Sequence, residues 1–430
     1  MTSKPIEPAK RGFVWTWLPG ETTPVVAGRI ELVDGLYQFT YGQSYLERTD
    51  AISLYIPELP LRKGVQVPRD PHTIAGCLRD GAPDNWGRRV IYTDLTGHRD
   101  RSIDTGDVDE LSYMLFSGTD RTGALDFQAS ANTYVPRITQ ATKIENLMEA
   151  ARLIEAGTPL PRDFGEAIVH RTAIGGARPK AHVTDGGRKL IAKFPSRRDP
   201  HKIVGAELVG LRLAERVGIQ VARAELTEVQ GRDVLLVERF DRVAKGGLWA
   251  RRHMVSALTI LGLDEARGYY GSYEDLAGVL RRGGTDPEGD QAELFRRMVF
   301  NILVGNTDDH ARNHAAFWDG EWLSLTPAYD IEPRPRLGRE ANHAIRVSGT
   351  SRESRVALTV EAAPMFGLSR KAAMEIISHQ VATIHDGFAE AAEEARLTET
   401  DRMALANRAI LNPYAFEGAP GTIARLERPL

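Results

Sequence analysis

The sequence predicts an α+β fold, β-rich toward its N-terminal end and mostly helical toward its C-terminal end. Three observations predict it. Short runs rich in Val, Ile, Tyr and Phe are broken by turn dipeptides from Phe13 to Tyr45. Strand-like segments surround one helix between Lys180 and Glu238, and after Gly247 apolar residues step by three and four. The chain has 430 residues, enough to bury a sizeable core without disulfides or structural metal. Its 55 Lys and Arg against 58 Asp and Glu leave a formal charge of −3, which argues against a protein held to nucleic acid by bulk electrostatics. One cysteine, Cys77, excludes an internal disulfide and Cys-based zinc or redox motifs, and fits a reducing cytoplasm. No apolar run approaches the ~18 residues of a membrane span, and the N-terminus lacks a secretory apolar region, so an untargeted cytoplasmic protein with no membrane association is expected.

In chain order, Phe13 to Leu18 reads as a strand, with Pro19-Gly20 and Asp34-Gly35 as hairpin punctuation. From Leu59 to Ser130 the pattern is irregular and helices are placed only loosely. Thr142 and Glu145 form a capping box, after which Ile144, Leu147, Met148, Ala151 and Ile154 repeat at helical spacing until Gly157. Strands follow at Lys180 to Val183 and Lys189 to Phe194, then a helix from about Ile203 to Val217, then strands at Ala222 to Val229 and Val234 to Glu238. Helices are expected at Tyr273 to Arg281, at Gln291 to Leu303 and from Ser369 onward. The expected divisions are a β-rich subdomain over 1–135, a nucleotide-binding subdomain over 136–246 and a helical domain with a catalytic and metal-binding loop over 247–430.

The most informative segment runs from Asn306 to Asn313, followed by Tyr329-Asp330 after two short apolar strands. Phosphoryl transfer needs a carboxylate that accepts or orients the hydroxyl proton, and a second carboxylate with an amide oxygen that holds magnesium against phosphates. Asp308, Asn313 and Asp330 supply that set. Two other readings stay open: a solvated acidic loop with Asn313 as a cap, and a metal site of Asp308 with His310 and His314.

Upstream, Thr172 to Lys180 is a glycine-containing turn entering a strand, where the backbone at Gly175, Gly176 and Ala177 can approach phosphate without obstruction. Lys193 is a cation inside an apolar strand, a place that favours a phosphate-facing role over a snorkelling edge lysine. Glu207 lies in the next helix, either facing inward toward a strand lysine or exposed in the first turn. Backbone groups at Glu238 can read an adenine edge with Phe240 against its face, although Phe240 also reads as core.

Taken together, these segments resemble the HipA family, bacterial toxin kinases of type II toxin–antitoxin systems. The resemblance rests on Gly175 to Lys180, Ile191 to Pro195, Val237 to Arg242, Asn306 to Asn313 and Leu325 to Asp330, in the family's order over nearly the whole chain. It implies a divergent protein-kinase-like two-lobed fold with an extra N-terminal β-rich subdomain, the 136–246 part being the N-lobe. It implies Asp308 as the catalytic carboxylate, Asn313 and Asp330 as Mg2+ ligands, Lys193 on the ATP phosphates, and Glu238 and Phe240 beside adenine. Lys180 and Glu207 complete the expected ATP site. The implied activity is transfer of the γ-phosphoryl group to a protein Ser or Thr, as in family members that phosphorylate aminoacyl-tRNA synthetases and halt growth. The implied partner is a helix-turn-helix antitoxin of the HipB type, which also carries the operator DNA contact. The alternative is a weakly active or silent member acting mainly as an antitoxin-binding corepressor. Two departures stand out: Ala173 occupies the place of an autophosphorylated serine, leaving Thr172 as the substitute, and Arg178-Pro179 precedes Lys180, with one amide donor fewer.

Overall fold

A computed structural model describes residues 9–96, 108–137, 142–158, 171, 178–197 and 199–430. The chain groups into two compact units, one of residues 1–198, 227–255 and 318–321, the other of 199–226, 256–317 and 322–430.

In the first unit, strands β1 (Arg11–Thr16), β2 (Val25–Val33) and β3 (Leu36–Tyr41) make an antiparallel meander. Asp34 and Gly35 both take positive φ, 50° and 79°, as a two-residue hairpin loop that follows the strand twist requires. With β4 (Val65–Gln66) and β5 (Leu125–Gln128) the sheet order is β4-β3-β2-β1-β5, and alternation buries Val14, Ile30, Phe39 and Phe127. The irregular stretch between β4 and β5 contains helix α1 (Asn85–Thr96) and helix α2 (Glu110–Phe116). Asp109 caps α2 by accepting the Ser112 N–H, a local signal buried in a charged run.

Helix α3 (Ile144–Ala156) ends as expected at Gly157, φ 70°. Its start differs from expectation: Lys143, one residue after Thr142, holds the cap position, and its side chain makes no capping bond. Beyond it lies a second sheet of order β6-β7-β9-β8, with β6 (Lys180–Asp185), β7 (Arg188–Lys193), β8 (Ala224–Val229) and β9 (Arg232–Glu238). Ala181, Leu190, Ala192, Val234 and Leu236 share its inner face and pack with Leu147, Ala151 and Ile154 of α3 and Trp86 and Val90 of α1. Full burial of each large side chain here contributes about 1.5–3 kcal/mol. The other face then carries Lys180, His182, Ile191, Lys193, Leu235 and Val237.

The second unit is mostly helical: α4 (Ile203–Arg216), α5 (Tyr273–Gly283), α6 (Pro287–Val304) and α7 (Arg370–Glu394), with a hairpin of β10 (Ala315–Trp318) and β11 (Leu323–Leu325). Asp286 caps α6 with Pro287 in its first turn, and Phe295, Met298, Val299, Ile302 and Leu303 form the buried stripe. Helix α7 packs along α4, and Arg212 of α4 pairs with Glu394 at 2.6 Å. Among the described residues no helix is long and apolar enough to cross a membrane.

Candidate functional site

Helix α6 stops at Gly305, φ 69°, where a Cβ would lie 2.7 Å from the Ala409 carbonyl oxygen, so the turn into Asn306 needs glycine. A buried relay then holds the loop. Asn306 Nδ2 donates to Asn301 Oδ1 at 3.1 Å, and Asn301 Nδ2 donates to the Tyr273 hydroxyl at 3.1 Å. Tyr273 donates to Asp309, and His314 Nε2 lies 2.8 Å from the other oxygen of that carboxylate. Asp309, Tyr273 and His314 are buried. Burial pushes the Asp309 carboxyl up, but His314, with His343 and Tyr273, outweighs it and holds the group below its ordinary range. Burial lowers His343 to about 4. The two adjacent aspartates therefore have opposite surroundings, with Asp309 inside the loop and Asp308 outside it.

The Asp308 side chain is 49 % exposed and pairs with Arg334 Nη2 at 2.8 Å. Arg334 Nε binds Glu332 at 3.0 Å, and the Arg334 backbone N–H donates to the Gly305 carbonyl at 3.2 Å. Burial would lower the Arg334 pKa, but the Glu332, Asp308 and Asp330 carboxylates together raise it. All three acids thus act on one guanidinium. Asn313 is buried, with its Nδ2 3.5 Å from the Asp330 carbonyl, and Tyr329 donates to the Arg312 carbonyl at 2.7 Å. Ala328 is strapped to the strand-like segment 220–222 by bonds of 2.7 and 2.9 Å. Asp330 itself takes φ 60°, a left-handed conformation uncommon outside glycine that costs of order 1–2 kcal/mol and is found at functional sites. Gly210 of α4 makes room for this segment, since a Cβ there would sit 2.4 Å from the Ile331 carbonyl oxygen. The second unit therefore sets Asp308 and Asp330 about Arg334, with the Asn313 amide at the Asp330 backbone.

Glu207 lies one turn before Gly210 on the same face of α4 and is buried, so it is not the exposed first-turn acid. The site of His310 and His314 with Asp308 does not form. His314 is committed to Asp309, and among the described residues no group of three or more His, Cys, Asp or Glu is arranged to hold a metal ion.

In the first unit, Lys193 is half-buried and stands directly opposite Lys180 in the β6–β7 ladder. The fully buried lysine is Lys180, 3.8 Å from Asp84. Like charges directly opposite each other in a ladder are unfavourable unless an anion lies between them. Glu238 pairs with Leu190 and Lys193 with Leu235, three positions apart on β9, so the Glu238 side chain is on the other face from Lys193. Phe240 is partly buried rather than core. Gly175, Gly176, Ala177, Thr172 and Ala173 lie outside the described residues.

Beyond Glu238 the charges do something the sequence reading missed. Arg239 and Arg242 are buried and each binds both Asp241 and Asp120, at 2.8–2.9 Å. Asp241 also accepts the Gly123 N–H at 2.8 Å, which ties the strand end to the 120–123 turn. Burial pushes the Asp120 carboxyl up, but Arg239 and Arg242 outweigh it and hold it well below the ordinary range. Burial and Arg239 drop neighbouring His182 to about 4. The available signal was the alternation of opposite charges, Glu238-Arg239-Phe240-Asp241-Arg242, directly after a buried strand.

The chain matches the model of the HipA-like C-terminal domain over residues 172–388 and that of the HipA N-terminal domain over 22–128. It is 31 % identical over 146 residues to the putative kinase Y4mE of Sinorhizobium fredii, covering 33 % of each chain. It is 25 % identical over 242 residues to the serine/threonine-protein kinase toxin HipA of Shewanella oneidensis, covering 50 % of this chain and 54 % of that one. The matches thus span from a third to about half of those relatives' length. Among solved structures, the Shewanella oneidensis HipA, HipB and operator DNA complex superposes with a TM-score of 0.68 at 19 % identity, over 92 % of this chain and 94 % of that one. That likeness establishes the two-lobed HipA fold. With a C-terminal domain model spanning half of the residues and an N-terminal model preceding it, the chain belongs to the HipA family.

Proposed function

We propose that the protein is an ATP-dependent serine/threonine kinase acting as the toxin of a type II toxin–antitoxin system. The observation that supports this reading is that Asp308 and Asp330 both act on Arg334 in the second unit, with Asp330 in a left-handed backbone conformation beside the Asn313 amide. The donors fit a hard divalent cation: Mg2+ takes one or two carboxylates plus phosphate oxygens rather than a cage of many side chains. Asn313 points its amide N–H at the Asp330 carbonyl and keeps its side-chain oxygen for a ligand. Asn313 and Asp330 would hold Mg2+, which supplies charge neutralisation on the β- and γ-phosphates.

The chain's own residues do the rest. Asp308 accepts or orients the proton of the incoming Ser or Thr hydroxyl, which its outward position allows. Arg334 balances the Asp308 and Glu332 carboxylates and keeps the acids from repelling one another. Lys193 and Lys180, facing each other across one ladder, bind ATP phosphates, and the strand end at Glu238 and Phe240 borders adenine. Gly175, Gly176 and Ala177 are further candidates for ATP binding, and Thr172 is the candidate self-phosphorylation site. The acceptor is a cytoplasmic protein, an aminoacyl-tRNA synthetase by family analogy, and the partner is a HipB-type antitoxin through which operator DNA is reached.

Calorimetry with ATP in magnesium tests this. Wild-type protein is expected to bind ATP, and Asp330→Ala to weaken binding about tenfold or more in magnesium while changing little in EDTA. Equal affinity of the two proteins in magnesium refutes the metal role. Radiolabelled ATP with a bacterial lysate then identifies the acceptor.

A further inference from the structure

Beside the loop of Asp308, the second unit carries a cluster that phosphoryl transfer leaves without a task. The short 3-10 helix Glu265–Tyr270 ends in two adjacent tyrosines, both about half exposed, with ring centroids 4.0 Å apart. The Arg346 guanidinium lies 5.2 Å over the Tyr270 ring and that of Arg352 lies 5.7 Å over the Tyr269 ring. The platform is fixed to the catalytic loop. The Arg346 N–H donates to the Gly271 carbonyl at 2.9 Å, and its carbonyl accepts from Tyr273 N–H at 3.1 Å. Gly271 packs on Ala311, since a Cβ there would lie 3.3 Å from the Ala311 Cβ, and Arg312 Nε binds Glu265 at 2.7 Å.

The charge arrangement points to a ligand. Among the described residues, neither Arg346 nor Arg352 has a carboxylate within 4.0 Å. The Arg346 side chain donates no hydrogen bond to those residues, and Arg352 gives one donor to the Ala344 carbonyl at 3.0 Å. Burial lowers the Arg352 pKa and the repulsion of Arg346 lowers it further. Two guanidiniums on adjacent tyrosine rings thus have no carboxylate partner among the described residues, an arrangement that an anion relieves. Each guanidinium is braced over a ring, and the planar fork of N–H donors it carries suits carboxylate recognition. The same stacking covers ring faces that nucleic-acid bases would need, so an acidic polypeptide is favoured over a single-stranded nucleic acid.

We propose that Arg346 and Arg352, braced on Tyr270 and Tyr269, form a docking site for an Asp- or Glu-rich segment of the protein acceptor, flanking its phosphorylated Ser or Thr. The assignment of that segment to the acceptor rests on the kinase reading; the binding itself does not. Fluorescence anisotropy on the full chain at low salt tests it, with two labelled serine-centred peptides, one flanked by Asp and Glu and the other by Gln. The acidic peptide is expected to bind, and R346E/R352E to weaken it about tenfold or more, the equivalent of losing a charge-assisted contact. ATP affinity in magnesium stays within about twofold, and an unchanged melting temperature shows that the variant is folded. Equal binding of both peptides, or of the acidic peptide to both proteins, overturns the proposal. So does a labelled oligouridine that binds more tightly than the acidic peptide and is lost in R346E/R352E. Wild-type protein that binds the acidic peptide but no ATP in magnesium sinks the kinase reading and leaves the docking site standing.

Discussion

Asp308 and Asp309 are neighbours in sequence, and the structure predicts that replacing them has opposite consequences. Asp309 is a buried carboxylate that accepts from Tyr273 and pairs with His314, both themselves buried. Asp309→Ala removes two charge-assisted hydrogen bonds of about 1.5–3 kcal/mol each and strands the Tyr273 hydroxyl and a His314 N–H away from water. Relaxation recovers part of that, so the expected loss is about 3–5 kcal/mol, a large share of the ~5–15 kcal/mol typical of a folded protein. Asp308 is half exposed, and its ion pair to Arg334 is itself partly solvated. Arg334 keeps Glu332 when Asp308 is neutralised. Asp308→Asn is therefore expected to change stability by less than about 1 kcal/mol. Its effect falls on the reaction: loss of the proton acceptor lowers transfer by roughly 10²–10⁴ while ATP binding persists. Urea denaturation of the two variants, with phosphate transfer to lysate protein measured in native buffer, separates the roles. An Asp308→Asn protein that unfolds more readily than Asp309→Ala, or that transfers phosphate at the wild-type rate, would show that the two carboxylates have been assigned the wrong way round.

Two further outcomes follow from the packing. Gly210→Val places a branched side chain where even a Cβ lies 2.4 Å from the Ile331 carbonyl oxygen, so the Asp330 segment must move; a loss of about 1–3 kcal/mol is expected together with weaker ATP binding in magnesium. Unchanged calorimetric affinity would show that α4 does not position Asp330. Below pH 6.5 stability should fall: His182, His253 and His343 each have a folded pKa of about 4, lowered mainly by burial from the ordinary 6.5, so the unfolded chain binds protons that the fold does not. Their contribution is complete above pH 6.5 and lost as pH falls to 4, whereas the depressed Asp120 and Asp309 carboxyls act at still lower pH, beneath their ordinary 3.8. A urea midpoint that stays flat from pH 7 to pH 4 contradicts this.

Elements with a strong local code were legible in the sequence. Asp34-Gly35, the stripe along α6 and the Ser369 start of α7 each combine a periodic apolar pattern with a residue whose backbone preference ends or begins the element. Helices α1 and α2 were hidden because their apolar residues are interleaved with charges that the tertiary structure uses, as in Arg88, which pairs with Glu110 at 2.5 Å. The cap expected at Thr142 was misplaced for the converse reason: a short motif matched, but the chain entered the helix one residue later. Partnership between charges is a three-dimensional property, and spacing along the chain does not report it.

The same limit explains what the reading of the candidate site lacked. Residue types and spacing singled out Asp308, Asn313 and Asp330, because phosphoryl transfer demands particular oxygen donors. Nothing in that demand distinguishes the outward Asp308 from the inward Asp309, or reveals that Arg334 ties Asp308 to Glu332 and that Tyr273 and Asn301, from two helices, hold the loop from beneath. Those supports are polar groups buried among apolar neighbours, where an unmet hydrogen bond costs more than it would at the surface. Their geometry is consequently fixed more tightly than that of the exposed acid they display. A loop built this way leaves the Asp308 carboxylate at the surface while the backbone that carries it is held from beneath, and the contrast between positions 308 and 309 is the direct measure of that division.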